Sequence, residues 1–172
     1  HICAIPLLPA PMTTQTLQDR RAALGRDAVL DALVTHLEAG DADGISMEDL
    51  AREAGVSRRT LYRYFPTRAD LLAAAGDHVR GRVLNIDSSI APGGLAASFR
   101  AGVARSEARP QLARALLATE SGRAVRGTFR QARVEAIRRE VKSLAPHLAK
   151  REAERAAALL TYLCSLNAWV SL

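Results

Sequence analysis

The stretch from Ile45 to Leu72, ISMEDLAREAGVSRRTLYRYFPTRADLL, leaves this chain few choices of fold. After Ser46, the residues Met47, Leu50, Ala51 and Ala54 recur at helical spacing and so share one face. Ser46 with Asp49 three residues on makes a capping-box pattern, with Asp where Glu or Gln is usual. Gly55 ends that helix, because glycine enters the left-handed conformation without steric cost. Ser57 caps a second short helix that buries Leu61 and Phe65, four apart. Pro66 closes it, and Thr67 with Asp70 repeats the capping pattern at the start of a third helix.

Two short helices joined by a tight glycine turn form a helix-turn-helix. In that motif the second helix enters the DNA major groove, led by its N-terminal residues. Here these are Arg58, Arg59 and Thr60, followed by Tyr62, Arg63 and Tyr64. Between Ser57 and Arg68 stand four arginines and no acid. A helix N-terminus that gathers Arg opposes its own dipole, and a phosphate or base edge in front of it removes the conflict.

The string resembles the DNA-binding signature of the tetracycline-repressor (TetR) family. The matching residues are Ser46, Leu50, Ala51, Ala54, Gly55, Val56, Ser57, Thr60, Leu61, Tyr62, Tyr64, Phe65, Thr67, Asp70, Leu71 and Leu72, about a quarter of the chain. Arg68 replaces the lysine usual at its position and keeps the charge. The resemblance implies an all-α protein with an N-terminal three-helix DNA-binding domain and a C-terminal helical domain for ligand binding and dimerisation. It implies a repressor that holds a palindromic operator in double-stranded DNA and is released by a small molecule. Arg59, Thr60 and Tyr62 are expected at base edges or thymine methyls. Arg58, Arg63, Tyr64, Arg68 and Ser46 are expected at phosphates, with Ser57 and Thr67 completing the DNA-facing set. Glu48 and Asp49 leave the first helix of the pair few phosphate contacts.

Net charge adds little to this reading. Nine arginines face eleven acids between Met12 and Arg80, whereas fifteen lysines and arginines face seven acids between Gly81 and Leu172. The DNA argument therefore rests on the local Arg58–Arg68 cluster. Aromatics are only 4% of the chain and β-branched runs are scarce, which favours an all-helical fold. No apolar run spans a bilayer. Cys3 and Cys164 stand at opposite ends, which argues against a disulfide scaffold and fits a reducing cytoplasm. No metal-ligand spacing, phosphate loop or nucleophile elbow is present, so neither an enzyme nor a cofactor is expected.

Residues 1–18 carry three prolines and no helical period, and read as a mobile arm or tag, with Met12 a candidate start. A helix from about Asp19 to Ala39 braces the motif, completing a DNA-binding unit over 19–68. His36 falls at its core edge. Residues 69–172 form the second domain. After the linking helix and a loop at 87–94, four helices are expected, near 95–106, 110–120 and 122–144, and from Pro146 to the end. The family usually has one further helix beyond this point.

The last expected helix is apolar nearly all round, and a second subunit is the natural cover. Leu159, Leu163, Leu166 and Val170 make one stripe and Trp169 lies on another; these five are the expected homodimer interface. A ligand pocket is expected among His78, Arg82, Phe99, Val103, Leu116, Leu117, Glu120, Arg126, Phe129, Arg130 and Tyr162. Arg123, Arg126, Arg130 and Arg133 share a helix face, so the expected effector is apolar and either uncharged or anionic. The competing readings are a ligand-independent or architectural DNA-binding protein of the same fold, and a helical adaptor that uses the motif for protein contact.

Overall fold

The computed structural model describes residues 16–86, 90–91 and 93–171. The expected arm, apart from its last residues, Cys3, and part of the 87–94 loop lie outside the described residues. All regular structure among the described residues is helical. The helices are α1 (Leu17–Ala39), α2 (Met47–Glu53), α3 (Arg58–Tyr64), α4 (Arg68–His78), α5 (Leu95–Ala108), α6 (Pro110–Ala118), α7 (Glu120–Leu144), α8 (Lys150–Leu163) and α9 (Leu166–Val170).

Capping sets most of these boundaries. Thr16 accepts from the Asp19 amide at 3.1 Å and Asp19 accepts from the Thr16 amide at 3.1 Å, so α1 starts earlier than expected. Thr67 and Asp70 repeat that exchange at α4. Gly55, at φ 67°, turns the chain between α2 and α3. α4 continues into a wider π-helical turn, Val79–Val83.

Val29, Leu30, Leu33, Val34 and Leu37 form the buried stripe of α1. It packs with Leu50 and Ala51 of α2, Leu61 and Phe65 at α3, and Leu71 and Ala75 of α4. The same buried cluster continues into Leu112 and Leu116 of α6 and Val125 of α7. One apolar core thus runs from the helix-turn-helix into the helices behind it. A smaller cluster joins Ile137 and Val141 of α7 to Ala157 of α8.

The C-terminal region differs from expectation. Pro146 lies in a turn, and the next helix begins at Lys150, where Glu152 accepts from the Ala149 amide at 3.0 Å. That helix does not run on to the end. It stops at Leu163, and Ser165 takes an extended conformation (φ −99°, ψ 162°) before α9. The Ser165 hydroxyl donates to the Tyr162 carbonyl at 2.7 Å, which satisfies one of the acceptors freed by the break.

Candidate nucleic-acid interface and the cavity behind it

α3 is buried on one side through Leu61 and presents the rest to solvent. Arg58, Arg59, Tyr62 and Arg63 are exposed, and Thr60 is half-buried. Arg59 and Arg63 carry no ion pair among the described residues. Arg58 is engaged: its Nε lies 3.1 Å from the Glu48 carboxylate, and its guanidinium stands 5.7 Å from the Tyr62 ring centre. Tyr62 donates its hydroxyl to the same Glu48 at 3.2 Å. Glu48 therefore clasps two solvent-facing residues of α3 across the turn. The sequence flagged it only as a charge unfavourable to phosphate.

Several other expected DNA contacts have local duties. Ser46 accepts from the Asp49 amide at 3.0 Å and donates to the Asp49 carboxylate at 2.6 Å. That hydroxyl, with Arg52 second, holds the Asp49 carboxyl below the usual aspartate range. Ser57 accepts from the Thr60 amide at 3.1 Å, and Thr67 is engaged with Asp70. Tyr64 is half-buried, edge-on to Phe65 at 6.3 Å, and its hydroxyl end packs beside Gly25 of α1.

Arg68 requires a correction. It was expected at a phosphate, but its guanidinium turns inward. It donates to the Ile45 carbonyl at 2.8 Å, to the Ala42 carbonyl, and to the Ser121 hydroxyl at 3.2 Å. Ala42 is fully buried, so its carbonyl needs such a donor. Beside it, Asp43 accepts from the amides of Ser121 at 2.7 Å and Glu120 at 2.9 Å, capping the N-terminus of α7. Those bonds, the Ser121 amide first, hold the Asp43 carboxyl below the usual aspartate range. The GDADG turn is thus the joint between the motif and α7.

Behind the motif lies a cavity of about 140 Å³ between α5, α6, α7 and the C-terminal helices. Six expected residues line it: Phe99, Val103, Leu116, Arg126, Phe129 and Arg130. Five do not. His78 is buried and pairs with Asp31 at 2.7 Å. Arg82 pairs with Asp27. Leu117 is outside the lining, and Glu120 and Tyr162 face solvent. Leu166 and Trp169, expected at a dimer interface, line the cavity instead, because the break at Ser165 re-aims them. Arg133, expected on the same helix face as Arg126 and Arg130, also lines it, as do Arg105 and Cys164, which were not anticipated there. Arg123, on the same helix as Arg126, is not in the lining; it donates to the Ala118 carbonyl at 2.8 Å at the end of α6.

A glycine-turn motif with a cation-rich second helix, braced by α1 and backed by a helical bundle with a cavity, defines a helix-turn-helix architecture. The family model described as bacterial regulatory proteins, tetR family, matches residues 29–75, from the middle of α1 into α4. The chain is 43% identical over 61 residues to an uncharacterised HTH-type transcriptional regulator of Mycobacterium tuberculosis, covering 36% of this chain and 30% of that protein. It is 38% identical over 68 residues to the HTH-type transcriptional repressor LfrR of Mycolicibacterium smegmatis, covering 40% and 35%. Against the HTH-type transcriptional regulator AlkX of M. tuberculosis it is 34% identical over 82 residues, covering 47% and 39%. The chain spans about a third of the length of these relatives, and the likeness is concentrated in the DNA-binding head. No helix among the described residues is long and apolar enough to cross a membrane.

Proposed function

We propose that the protein is a cytoplasmic transcriptional regulator. It binds a palindromic operator in double-stranded DNA as a homodimer, and a small molecule in the cavity releases it. The observation that carries this reading is α3 itself, a short helix with Arg58, Arg59, Tyr62 and Arg63 displayed together on its solvent side. Arg59, Thr60 and Tyr62 read base edges, while Arg58 and Arg63 hold phosphates. A second copy of the chain covers the exposed face of α8, where Leu159, Tyr162 and Leu163 are 66%, 55% and 54% exposed, together with Val170 of α9.

The test is binding to an operator selected from random duplexes, followed by anisotropy against that site and random DNA. Arg59→Ala and Tyr62→Ala should each lose about 1–3 kcal/mol on the selected site and far less on random DNA. Equal binding by both variants and wild type on both DNAs removes α3 from the groove. Leu163→Glu places a charge in the apolar contact and should convert a dimer to monomer in light scattering. A wild type that is already monomeric removes the palindromic model.

A further inference from the structure

Four arginines border the cavity, Arg105 from α5 and Arg126, Arg130 and Arg133 from α7, and no aspartate or glutamate among the described residues lines it. The remainder of the wall is largely apolar, with Phe99, Phe129 and Trp169. Gathering like charges beside an apolar wall is costly. Arg105, Arg126 and Arg133 are half-buried, and the Nε of Arg126 is buried without a hydrogen-bond partner. Burial first, and then neighbouring arginines, disfavour the charged forms of Arg105 and Arg126. Arginine does not answer by losing its proton, so the penalty stays until an anion arrives.

The lining hydroxyls are committed to local partners. Ser106 donates to the Gly102 carbonyl at 3.0 Å, Thr161 to Ala157 at 2.7 Å and Ser165 to Tyr162 at 2.7 Å. These hydrogens are spent on local backbone carbonyls. Arg133 reaches the Ser98 hydroxyl at 3.0 Å. The donors left over belong to the guanidinium groups, and an acceptor-only ligand group matches them. The volume sets the size of the apolar part: a dry protein cavity of ~150 Å³ accommodates benzene.

We propose that this cavity binds a small organic anion, with its carboxylate or phosphate on Arg126 and the neighbouring arginines and an apolar body of about one ring or a short acyl chain among Phe99, Phe129 and Trp169. The proposal rests on the effector reading for its biological role, but not for the binding itself.

The experiment measures calorimetric binding and thermal shift of the full chain with benzoate, hexanoate and phenyl phosphate. Benzamide, benzylamine and inorganic phosphate are the comparisons, at constant ionic strength. At least one organic anion should bind ten-fold or more tighter than benzamide and benzylamine, and the better of carboxylate and phosphate names the head group. Arg126→Met keeps the apolar stem and should lose ten-fold or more, with Arg126→Lys in between. Benzylamine or benzamide binding as tightly as the anions overturns the proposal. So does anion binding unchanged in an Arg126→Met, Arg130→Met double variant that still melts cooperatively, or inorganic phosphate equalling every organic anion. Operator release is followed in parallel. Tight anion binding that leaves the DNA complex intact keeps this site and rejects the effector role. Release by neutral or cationic compounds alone keeps the effector role and rejects the anion.

Discussion

Gly76→Ala tests the contact on which the arrangement of head and cavity depends. Gly76 is buried in α4 where that helix crosses α7. A Cβ there would stand 1.8 Å from Thr128 Oγ1, 2.8 Å from Thr128 Cγ2 and 2.8 Å from Thr128 Cβ. Rotating Thr128 moves its hydroxyl and methyl but leaves its Cβ in place. The helices must therefore part by roughly half an ångström before ordinary contact is restored. Two effects of opposite sign compete. Alanine in a helix interior is favoured over glycine by about 0.8–1.0 kcal/mol. Overpacking of this kind costs about 1–3 kcal/mol. The net expectation is a loss of about 1 kcal/mol, or ~2–4 °C in Tm for a chain of this size.

Gly127→Ala supplies the control. It sits on α7, one residue from Thr128, and an added Cβ meets nothing within 4 Å. Only the propensity term remains, so this variant should gain about 0.5–1 kcal/mol. A cycle of Gly76→Ala with Thr128→Gly should show a favourable coupling of about 1–3 kcal/mol, because the second change removes all three clashing atoms. Urea unfolding of the four proteins of the cycle, with Gly127→Ala alongside, measures this. If Gly76→Ala is as stable as Gly127→Ala, or the coupling is zero, the close approach of α4 and α7 is refuted.

Glu48→Gln should free Arg58 and Tyr62, raise affinity for both operator and random DNA several-fold, and steepen the salt dependence by about one counterion; an unchanged slope with weaker operator binding means that Glu48 positions the reading side chains instead of competing with DNA for them. His36 bridges Glu53 and Asp41 at 2.8 Å each, and the hydrogen bond to Glu53 is the first cause of its pKa lying above the ordinary histidine value, against the lowering effect of burial. Because the folded pKa is the raised one, its stabilisation is complete below the unfolded value and is lost as pH rises through the folded one. The urea midpoint should therefore fall as pH rises above about 6.5 in wild type and stay flatter in His36→Gln; parallel curves refute the bridge.

The helix-turn-helix was legible because each of its boundaries has a local cause. Ser46, Gly55, Ser57 and Thr67 act within three or four residues of themselves, and the structure places α2 and α3 between them and starts α4 immediately after Thr67. The stripe of α1 was legible for the same reason, since a 3.6-residue period needs no partner to be seen. What escaped was the assignment of long polar side chains. Arg68 and Arg59 are the same residue type nine positions apart, yet one ends on the Ala42 and Ile45 carbonyls and the other in solvent. Nothing local marks the buried carbonyls that claim Arg68, because they come from a turn more than twenty residues upstream. The break at Ser165 was missed because AAALLTYLCSLNAWVSL is apolar on every face. With no polar side to interrupt, a change of helix direction leaves no trace in periodicity, and Leu166 and Trp169 went to the wrong surface with it.

The cavity and the reading surface are linked through few parts. α7 begins at the Asp43 and Arg68 joint and lines the cavity from Arg126 onward. At 1.5 Å per residue, Arg126 is only about 7.5 Å along the axis from Ser121, and Arg133 about 18 Å. α4 starts four residues after α3 ends and meets α7 again at Gly76. A rigid helix held at the joint and wedged at Gly76 has little freedom to absorb a displacement at Arg126 or Phe129 without passing it to one of them. Occupancy of the cavity changes DNA affinity only if the anion is held better in one placement of α7 than in the other. Under the proposal of an anionic effector, the arginines would supply that difference, because how closely they converge depends on where α7 lies relative to Arg105 on α5.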